Sequence, residues 1–144
     1  MEQFQWKDQY KLGIEIIDTQ HKRLVQIIAE LGDLIPSSLN STGYRNKAKE
    51  KKALQKILDE LTQYAHFHFA TEEKYFSEFH YKRAKEHEAQ HENFRKTIDS
   101  FTNKLATRDG QLSMEISAFL ENWFKHHLLG FDRDYVETFH KHGL

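Results

Sequence analysis

The 144-residue sequence contains no cysteine. It can therefore form no disulfide, no thiolate zinc site and no cysteine-ligated iron–sulfur cluster. No apolar run approaches the length of a membrane span, and the N-terminus lacks the basic-then-apolar layout of a secretion signal. The net charge of −1 leaves no basic footprint for nucleic acid. We therefore expect a cytoplasmic protein that binds neither membranes nor nucleic acid.

Histidine and phenylalanine are abundant instead, with ten and eleven copies. At this length the chain can bury a substantial core, and we predict a single domain over residues 1–144. No segment alternates apolar and polar residues with a period of two, and no repeat or low-complexity tract is present. The sequence therefore gives no support for strands.

Apolar residues recur at three- and four-residue steps in four segments, which is typical of helices with one buried face. We expect Asp18 or Thr19 to cap the first helix, Pro36 to end it, and a loop to follow as far as Gly43. The four stripes are His21, Leu24, Ile28, Leu31 and Ile35; Leu54, Ile57, Leu58, Leu61 and Ala65; His87, His91, Phe94, Ile98, Phe101 and Leu105; and Ile116, Leu120, Trp123 and His127.

The helices are joined by short connections. The second helix is expected to start in the charged stretch 45–52 and to end near His80, and residues 107–111 are predicted to form a turn. Together these features predict an all-α fold, an antiparallel up-down-up-down four-helix bundle. Residues 1–17 lack sustained helical spacing and are predicted to form an N-terminal arm, and a short C-terminal stub completes the chain.

Polar groups with metal-binding capacity share the apolar stripes. His68 and Glu72 are four residues apart, so both point from one face of an α-helix. A polar group that faces a core costs about 2 kcal/mol or more unless it is paired, so we expect these groups to have a common partner. The candidate metal ligands are His21, His68, Glu72, His87, His91, His127 and Asp132.

Imidazole and carboxylate groups together suit iron, zinc, copper or nickel and disfavour calcium or magnesium. These seven candidates exceed the needs of one first-row ion, and each of the two carboxylates can bridge two ions, so the sequence predicts a dinuclear centre. A lone histidine such as His21 is more often a core residue bonded to a carbonyl group, but candidates on four stripes favour a shared site. The remaining histidines, which we expect to lie outside the site, are His66, His80, His126, His140 and His142.

Two shorter motifs offer other interpretations. His87-Glu88-x-x-His91 matches the H-E-x-x-H signature of zinc metalloproteases, but that interpretation leaves the other candidates unexplained and provides no strand to hold a peptide. Glu88-x-x-His91 also matches the E-x-x-H motif of ferritin-like di-iron proteins, which require two such motifs on core helices. The second match, Glu137 to His140, lies in the C-terminal tail. We therefore disfavour both.

A longer combination of motifs covers nearly the whole chain. Its parts are Trp6, Gly13-Ile14, Ile17-Asp18-Thr19-Gln20-His21-Lys22, Tyr64-x3-His68-Phe69-x2-Glu72-Glu73, His87-x3-His91 and Trp123-x3-His127-x4-Asp132. This combination resembles the hemerythrin family, particularly the bacteriohemerythrins. The resemblance implies a non-haem centre of two iron ions (Fe2+/Fe3+) with a bridging oxo or hydroxo group, which binds dioxygen reversibly in a protein that is not an enzyme.

By the same resemblance the ligands divide unequally between the two irons. One iron would be coordinatively saturated, and the other would have one histidine fewer and hence an open position for dioxygen. The saturated iron would be held by His87, His91 and His127, the open one by His21 and His68, and both would be bridged by Glu72 and Asp132. The apolar residues expected to wall the dioxygen pocket are Leu24, Ile28, Phe69 and Phe124.

The function predicted from these residues is dioxygen storage, delivery or sensing, with an unidentified protein acceptor of dioxygen as one potential partner. The alternative is a di-iron oxidase that activates dioxygen to oxidise iron or a small molecule. An oxidase would need a substrate cavity and proton donors beside the open iron, whereas the expected pocket residues are apolar. Phe124 departs from the family pattern, in which smaller aliphatic residues are common, and would narrow the pocket.

One spacing conflicts with a regular helix. Five residues turn an α-helix by about 500°, which would leave the side chains of His127 and Asp132 about 140° apart. We therefore expect the helix to end or bulge between them. Gly130 can adopt the left-handed conformation that ends a helix, so the predicted break lies at residues 129–131.

Overall fold

A computed structural model of the protein describes residues 4–35, 47–106 and 112–144. Over these residues the chain forms α1 (Glu15–Gly32), α2 (Lys47–Glu78), α3 (Ala84–Leu105), α4 (Leu112–Trp123) and α5 (Val136–Lys141). A 3-10 turn (Asp8–Tyr10) precedes α1, and a π-helical segment (Phe124–Asp132) joins α4 to α5. The described ranges contain no strand, which confirms the prediction of an all-α fold.

The four longer helices enclose a common interior. α2 packs against α1 and α3, and α4 also packs against α1 and α3. The larger hydrophobic cluster fills the space between them and includes Leu24, Ile28, Leu61, Phe69, Phe94, Ile98, Ile116, Trp123 and Phe124. The structure is thus a helical bundle, and its up-down-up-down course stays a prediction. Within the described ranges, no helix is both long and apolar enough to cross a membrane.

The helix boundaries agree in part with the sequence pattern. The predicted loop from Pro36 to Gly43 and the turn at 107–111 lie outside the described residues. α2 ends close to the expected position, because His80 adopts a positive φ of 51°. The backbone N–H of Tyr81 then donates to the carbonyl of Phe76 at 3.0 Å, and the two rings lie 5.0 Å apart. These contacts form the hydrogen-bonded and hydrophobic closure of a Schellman motif.

The start of α1 differs from the prediction. α1 begins at Glu15, so neither Asp18 nor Thr19 caps it, and the N-terminal arm is shorter than residues 1–17. Asp18 instead accepts hydrogen bonds from the backbone N–H groups of Leu12 (2.8 Å) and Gly13 (3.1 Å). A carboxylate that satisfies two arm amides is engaged outside its own helix, which is why the capping rule placed the boundary too late.

The arm crosses the bundle near the end of α4. The rings of Phe4 and Tyr10 meet the ring of Phe124 edge to face, with centroids 5.4 Å and 4.8 Å away. Arg133 donates to the backbone carbonyl of Gln9 at 3.3 Å and thereby ties the arm to the chain that follows the π-helical segment. The N-terminal arm therefore covers Phe124.

A smaller hydrophobic cluster anchors the C-terminal stub. It combines residues from the arm, the start of α1, the end of α2 and the chain around α5. Its buried members are Leu12, Ile14, Ile17, Phe76, Tyr135 and Phe139. The stub is consequently a packed part of the fold and not a loose tail.

Candidate metal centre

The π-helical segment explains the five-residue spacing of His127 and Asp132. In a π-helix each N–H bonds to the carbonyl five residues back, so residues five apart lie about one turn apart. The prediction that a regular α-helix does not carry both side chains is confirmed. Its location was wrong, because the π-helical geometry begins at Phe124 and not at 129–131. Gly130 is not left-handed either, since the described glycines with positive φ are Gly13 and Gly143.

The structure brings every candidate ligand to one place. They come from α1 (His21), α2 (His68 and Glu72), α3 (His87 and His91) and the π-helical segment (His127 and Asp132). Each is at most 1% exposed. The histidines expected to lie outside the site are all exposed, namely His66, His80, His126, His140 and His142.

The two carboxylate oxygens of Asp132 face different groups of imidazoles. Oδ1 lies 2.8 Å from Nε2 of His87 and 3.2 Å from Nε2 of His127. Oδ2 lies 2.9 Å from Nε2 of His21 and 3.5 Å from Nε2 of His68. Asp132 therefore stands between the three-histidine side and the two-histidine side of the cluster.

Glu72 also lies between the two sides. Its Oε1 is 2.9 Å from Nε2 of His91, 3.6 Å from Nε2 of His87 and 3.4 Å from Nε2 of His68. The potential ligand atoms form two groups, each with its members within 4.8 Å of one another. These groups are Glu72, His87, His91 and His127, and His21, His68 and Asp132.

Many of these buried atoms lack a hydrogen-bond partner within the described structure. They are both oxygens of Glu72, Oδ1 of Asp132, and both ring nitrogens of His87, His91 and His127. Their mutual contacts are short but do not have hydrogen-bond geometry, and an unsatisfied buried polar atom costs about 1–3 kcal/mol. Nitrogen and oxygen lone pairs that converge in this way fit transition-metal ions.

The electrostatics favour ionised carboxylates. Burial and the neighbouring Asp132 raise the pKa of Glu72, but His68, His87 and His91 outweigh them and lower it to about 2. Burial likewise opposes ionisation of Asp132, yet contacts with the histidines bring its pKa well below the usual range. Both carboxylates therefore carry the negative charge that a cation requires.

His87 is the imidazole most affected by this charge. Burial alone would lower its pKa, but the close and negatively charged carboxylates of Asp132 and Glu72 raise it to about 9. By contrast, the pKa of His21 is lowered, chiefly by burial. A metal ion that binds His87 must therefore displace a proton at neutral pH.

A directed chain of hydrogen bonds orients His68. Nδ1 of His68 lies 2.6 Å from Oε1 of Gln20, and the Gln20 amide nitrogen donates to Thr71 Oγ1 at 3.1 Å. The Thr71 hydroxyl in turn donates to the carbonyl of Phe67 at 2.9 Å. Because the Gln20 oxygen can only accept, His68 carries its proton on Nδ1, and Nε2 keeps a lone pair for a metal.

Aromatic rings hold three of the imidazoles by stacking. The ring centroids are 3.8 Å apart for Phe69 and His91, 4.0 Å for Trp123 and His127, and 5.3 Å for Tyr64 and His68. The interplanar angles are 8°, 11° and 19° in the same order. Stacking of this kind restricts the rotation of each imidazole before any metal binds.

Sequence reasoning gave no role to several of these neighbours. Gln20 and Tyr64 were part of the recognised motif without a predicted role, and Trp123 was predicted only as a core residue of the fourth stripe. A usable signal exists for Tyr64 and Trp123, because each lies four residues before a candidate histidine and therefore on the same helix face. The role of Gln20 depends on a contact between α1 and α2, which spacing along one helix does not reveal.

The predicted dioxygen-pocket residues all lie in the bundle interior. Leu24, Ile28, Phe69 and Phe124 are each at most 1% exposed and belong to the larger hydrophobic cluster. Phe69 contacts the site directly through its stack on His91. That these residues wall a dioxygen pocket stays a prediction.

The fold and the site together define a class of protein, a helical bundle with a buried histidine–carboxylate cluster suited to metal ions. Residues 12–139 match the sequence profile described as the hemerythrin HHE cation binding domain. The chain belongs to the hemerythrin family, which confirms the resemblance found in the sequence.

Individual relatives agree over most of their length. The chain is 33% identical to a bacteriohemerythrin of Clostridium acetobutylicum over 135 residues, which cover 93% of this chain and 99% of the relative. A bacteriohemerythrin of Pseudomonas aeruginosa is 28% identical over 92% of this chain and 79% of its own length. One of Stenotrophomonas maltophilia is 28% identical over 95% of this chain and 82% of its own length.

Proposed function

We propose that the protein binds dioxygen reversibly at a pair of iron ions bridged by an oxo or hydroxo group. The observation that carries this proposal is the placement of Asp132, whose two oxygens face separate groups of imidazoles. A carboxylate in that position suits a bridge between two ions better than a ligand to one. Membership of the hemerythrin family and the bacteriohemerythrin relatives support the same function.

The proposed ligand sets follow the two groups of side chains. His87, His91 and His127 would hold one iron, and His21 and His68 the other. Glu72 and Asp132 would contact both. When bound, the iron pair would supply the electrons and the coordination position that dioxygen needs. The unequal number of histidines would leave that position on the side of His21 and His68.

The surrounding residues would keep the site dry. Leu24, Ile28 and Phe124 are fully buried apolar side chains, and apolar cavities tend to exclude water. Phe4 and Tyr10 of the arm close over Phe124 from outside. Exclusion of water and external protons is what allows dioxygen to leave unchanged, so these side chains would protect reversibility.

A di-iron oxidase is the competing function, and the site offers two hydroxyl groups that bear on it. Tyr64 and Tyr135 are buried, and neither hydroxyl has a hydrogen-bond partner in the described structure. Burial raises the pKa of both well above 10, and the charges of Glu72 and Asp132 raise it further. In the metal-free protein these phenols therefore hold their protons firmly and are poor acids.

The domain organisation, the location and the physiological role of the protein belong to the same proposal. A single domain over residues 1–144 and a cytoplasmic location both stay predictions. The match over residues 12–139 supports the first of them. Storage, delivery and sensing of dioxygen are all compatible with the same site.

The decisive experiment combines metal analysis with visible spectroscopy. The purified protein should contain a pair of irons per chain, and the reduced protein should gain an absorption band with dioxygen and lose it under argon. Irreversible oxidation with turnover of a substrate would establish the oxidase instead. A single zinc ion together with peptide cleavage would support the H-E-x-x-H interpretation of His87 and His91.

A further inference from the structure

A groove between α1 and α2 reaches one of the proposed iron ligands from the outside. Its volume is about 410 Å³, within the range of roughly 300–1,000 Å³ typical of small-molecule sites. The residues that matter in its lining are Thr19, Arg23, Glu60, Tyr64, Phe67 and His68. His68 is itself buried, so the groove gives a path to the edge of the site that avoids the apolar interior.

Tyr64 connects the groove to His68. Its ring stacks on the His68 imidazole with centroids 5.3 Å apart and an angle of 19°. Tyr64 is only 6% exposed, and its hydroxyl is a buried group with no hydrogen-bond partner in the described part of the chain. A molecule in the groove would therefore meet an aromatic ring that is in direct contact with a metal ligand.

The outer part of the groove suits a flat and weakly charged molecule. Phe67 is 65% exposed and lines the groove, so it leaves a free aromatic face there. Arg23 and Glu60 lie 3.4 Å apart, so their opposite charges largely cancel. Thr19 is exposed at the same groove and leaves it open to solvent.

We propose that this groove binds a small planar electron donor of the dihydroflavin class, which reduces the oxidised centre through Tyr64 and His68. This inference rests on the proposed function, because a carrier whose irons have become ferric must be reduced before it binds dioxygen again. The dihydroflavin loses two electrons and two protons and becomes the oxidised flavin. Its two electrons would pass to the iron pair, one to each ferric ion, and the two protons would leave to solvent through the open groove.

The test uses riboflavin and its reduced form as probes. Binding of riboflavin to the metal-free protein is followed by fluorescence, and anaerobic reduction of the diferric protein by dihydroriboflavin is followed by stopped-flow absorption. Thr19→Trp fills the groove from an exposed position, and Phe67→Ala removes its outer aromatic face. Met114→Ala, at an apolar residue that is 53% exposed on α4, is the matched control.

We expect saturable binding and saturable reduction in the wild type and in Met114→Ala. Both groove variants should weaken riboflavin binding and slow reduction by about tenfold, which corresponds to roughly 1.4 kcal/mol. Their dioxygen uptake should stay at the wild-type level. Absence of saturable binding, or reduction of Thr19→Trp at the wild-type rate, would overturn the inference. If the wild type takes up no dioxygen, the proposed function fails, and riboflavin binding to the metal-free protein still reports on the groove separately.

Discussion

The carboxylate of Asp132 lies 3.2 Å from the imidazole of His127, although Asp132 follows His127 by five positions in the sequence. The π-helical segment makes this contact possible, and the same carboxylate reaches His21 with its other oxygen. Asp132 therefore joins the two groups of candidate ligands.

Replacement of this carboxylate tests its proposed bridging role. Asp132→Asn keeps the shape of the side chain but removes its charge, so we expect the variant to lose most of its iron while it remains helical. Iron content by elemental analysis and helicity by far-UV circular dichroism provide the measurements. Asp134→Asn, at an exposed residue that pairs with Arg83, is the control and should keep its iron. Full iron loading of Asp132→Asn would argue against the bridge.

Buried and exposed histidines should respond differently to removal. His91→Ala should lose iron, because His91 is fully buried beside Glu72, whereas His66→Ala and His126→Ala should retain it. Each control histidine is exposed and lies on a helix that carries a candidate ligand. Iron loss from His126→Ala, with iron retained in His127→Ala, would show that the wrong member of that pair was chosen.

The raised pKa of His87 predicts how the stability of the metal-free protein depends on pH. A group whose pKa is about 9 when folded and 6.5 when unfolded stabilises the fold fully below pH 6.5. That contribution is lost as the pH rises through about 9, and it amounts to on the order of 3 kcal/mol. Chemical denaturation at a series of pH values should show this decline.

His87→Gln is the control for the pH series. Its free energy of unfolding should change much less across the same interval, with a residual slope from His68, whose pKa is also raised. An equally steep decline in the variant would assign the pH dependence to other groups.

Phe124 should protect the oxygenated protein more than it supports iron binding. Phe124→Ala removes the ring on which Phe4 and Tyr10 of the arm pack, so the arm should cover the site less tightly. Oxidation of the oxygenated form should then accelerate by roughly an order of magnitude, because exclusion of water prevents such side reactions. The decay of the oxygen absorption band measures this rate. Phe124→Leu keeps most of the apolar volume, so its decay rate should lie between those of the wild type and Phe124→Ala. Unchanged decay with lost iron would give Phe124 a purely structural role.

Gln20 should influence metal affinity without contacting the metal. Gln20→Leu removes the acceptor for Nδ1–H of His68, and changes of this kind typically weaken metal binding by about 10–100-fold. Competition with a chelator measures the affinity. Gln20→Glu retains an acceptor and should restore binding to at least the wild-type level. Equal loss in both variants would point to a packing defect instead.

Much of the fold could be predicted because apolar residues and candidate ligands share one periodicity. The spacing of Leu24, Ile28 and Leu31 follows helix geometry, and His21 falls on the same stripe, so one rule located both core and site. The start of α1 escaped prediction because Asp18 bonds to the amides of Leu12 and Gly13. Local capping rules do not take account of such contacts outside the helix.

Asp132 shows a different limit. Its five-residue distance from His127 excludes a regular α-helix, but several distortions would satisfy that constraint. Gly130 suggested an end to the helix, whereas the chain widens into a π-helical segment from Phe124 onwards. The spacing of two residues constrains the total helical rotation between them. It does not show where in the segment the helix departs from regular α-geometry.

The candidate ligands also contact both hydrophobic clusters. His91 stacks on Phe69 and His127 on Trp123, and both aromatic rings belong to the larger cluster. His87 contacts the smaller cluster, because its ring centroid lies 4.8 Å from that of Phe76.

A metal bound by these histidines would link the larger and the smaller hydrophobic clusters, which could otherwise unfold separately. Its binding free energy would become a coupling free energy between the bundle interior and the cluster around α5. Withdrawal of the metal would then let the smaller cluster open independently. Amide hydrogen exchange would detect this as lost protection around Phe139 and Ile17, while the amides of the bundle interior remain protected. Oxygen chemistry and the cooperativity of unfolding would thus depend on the same few side chains.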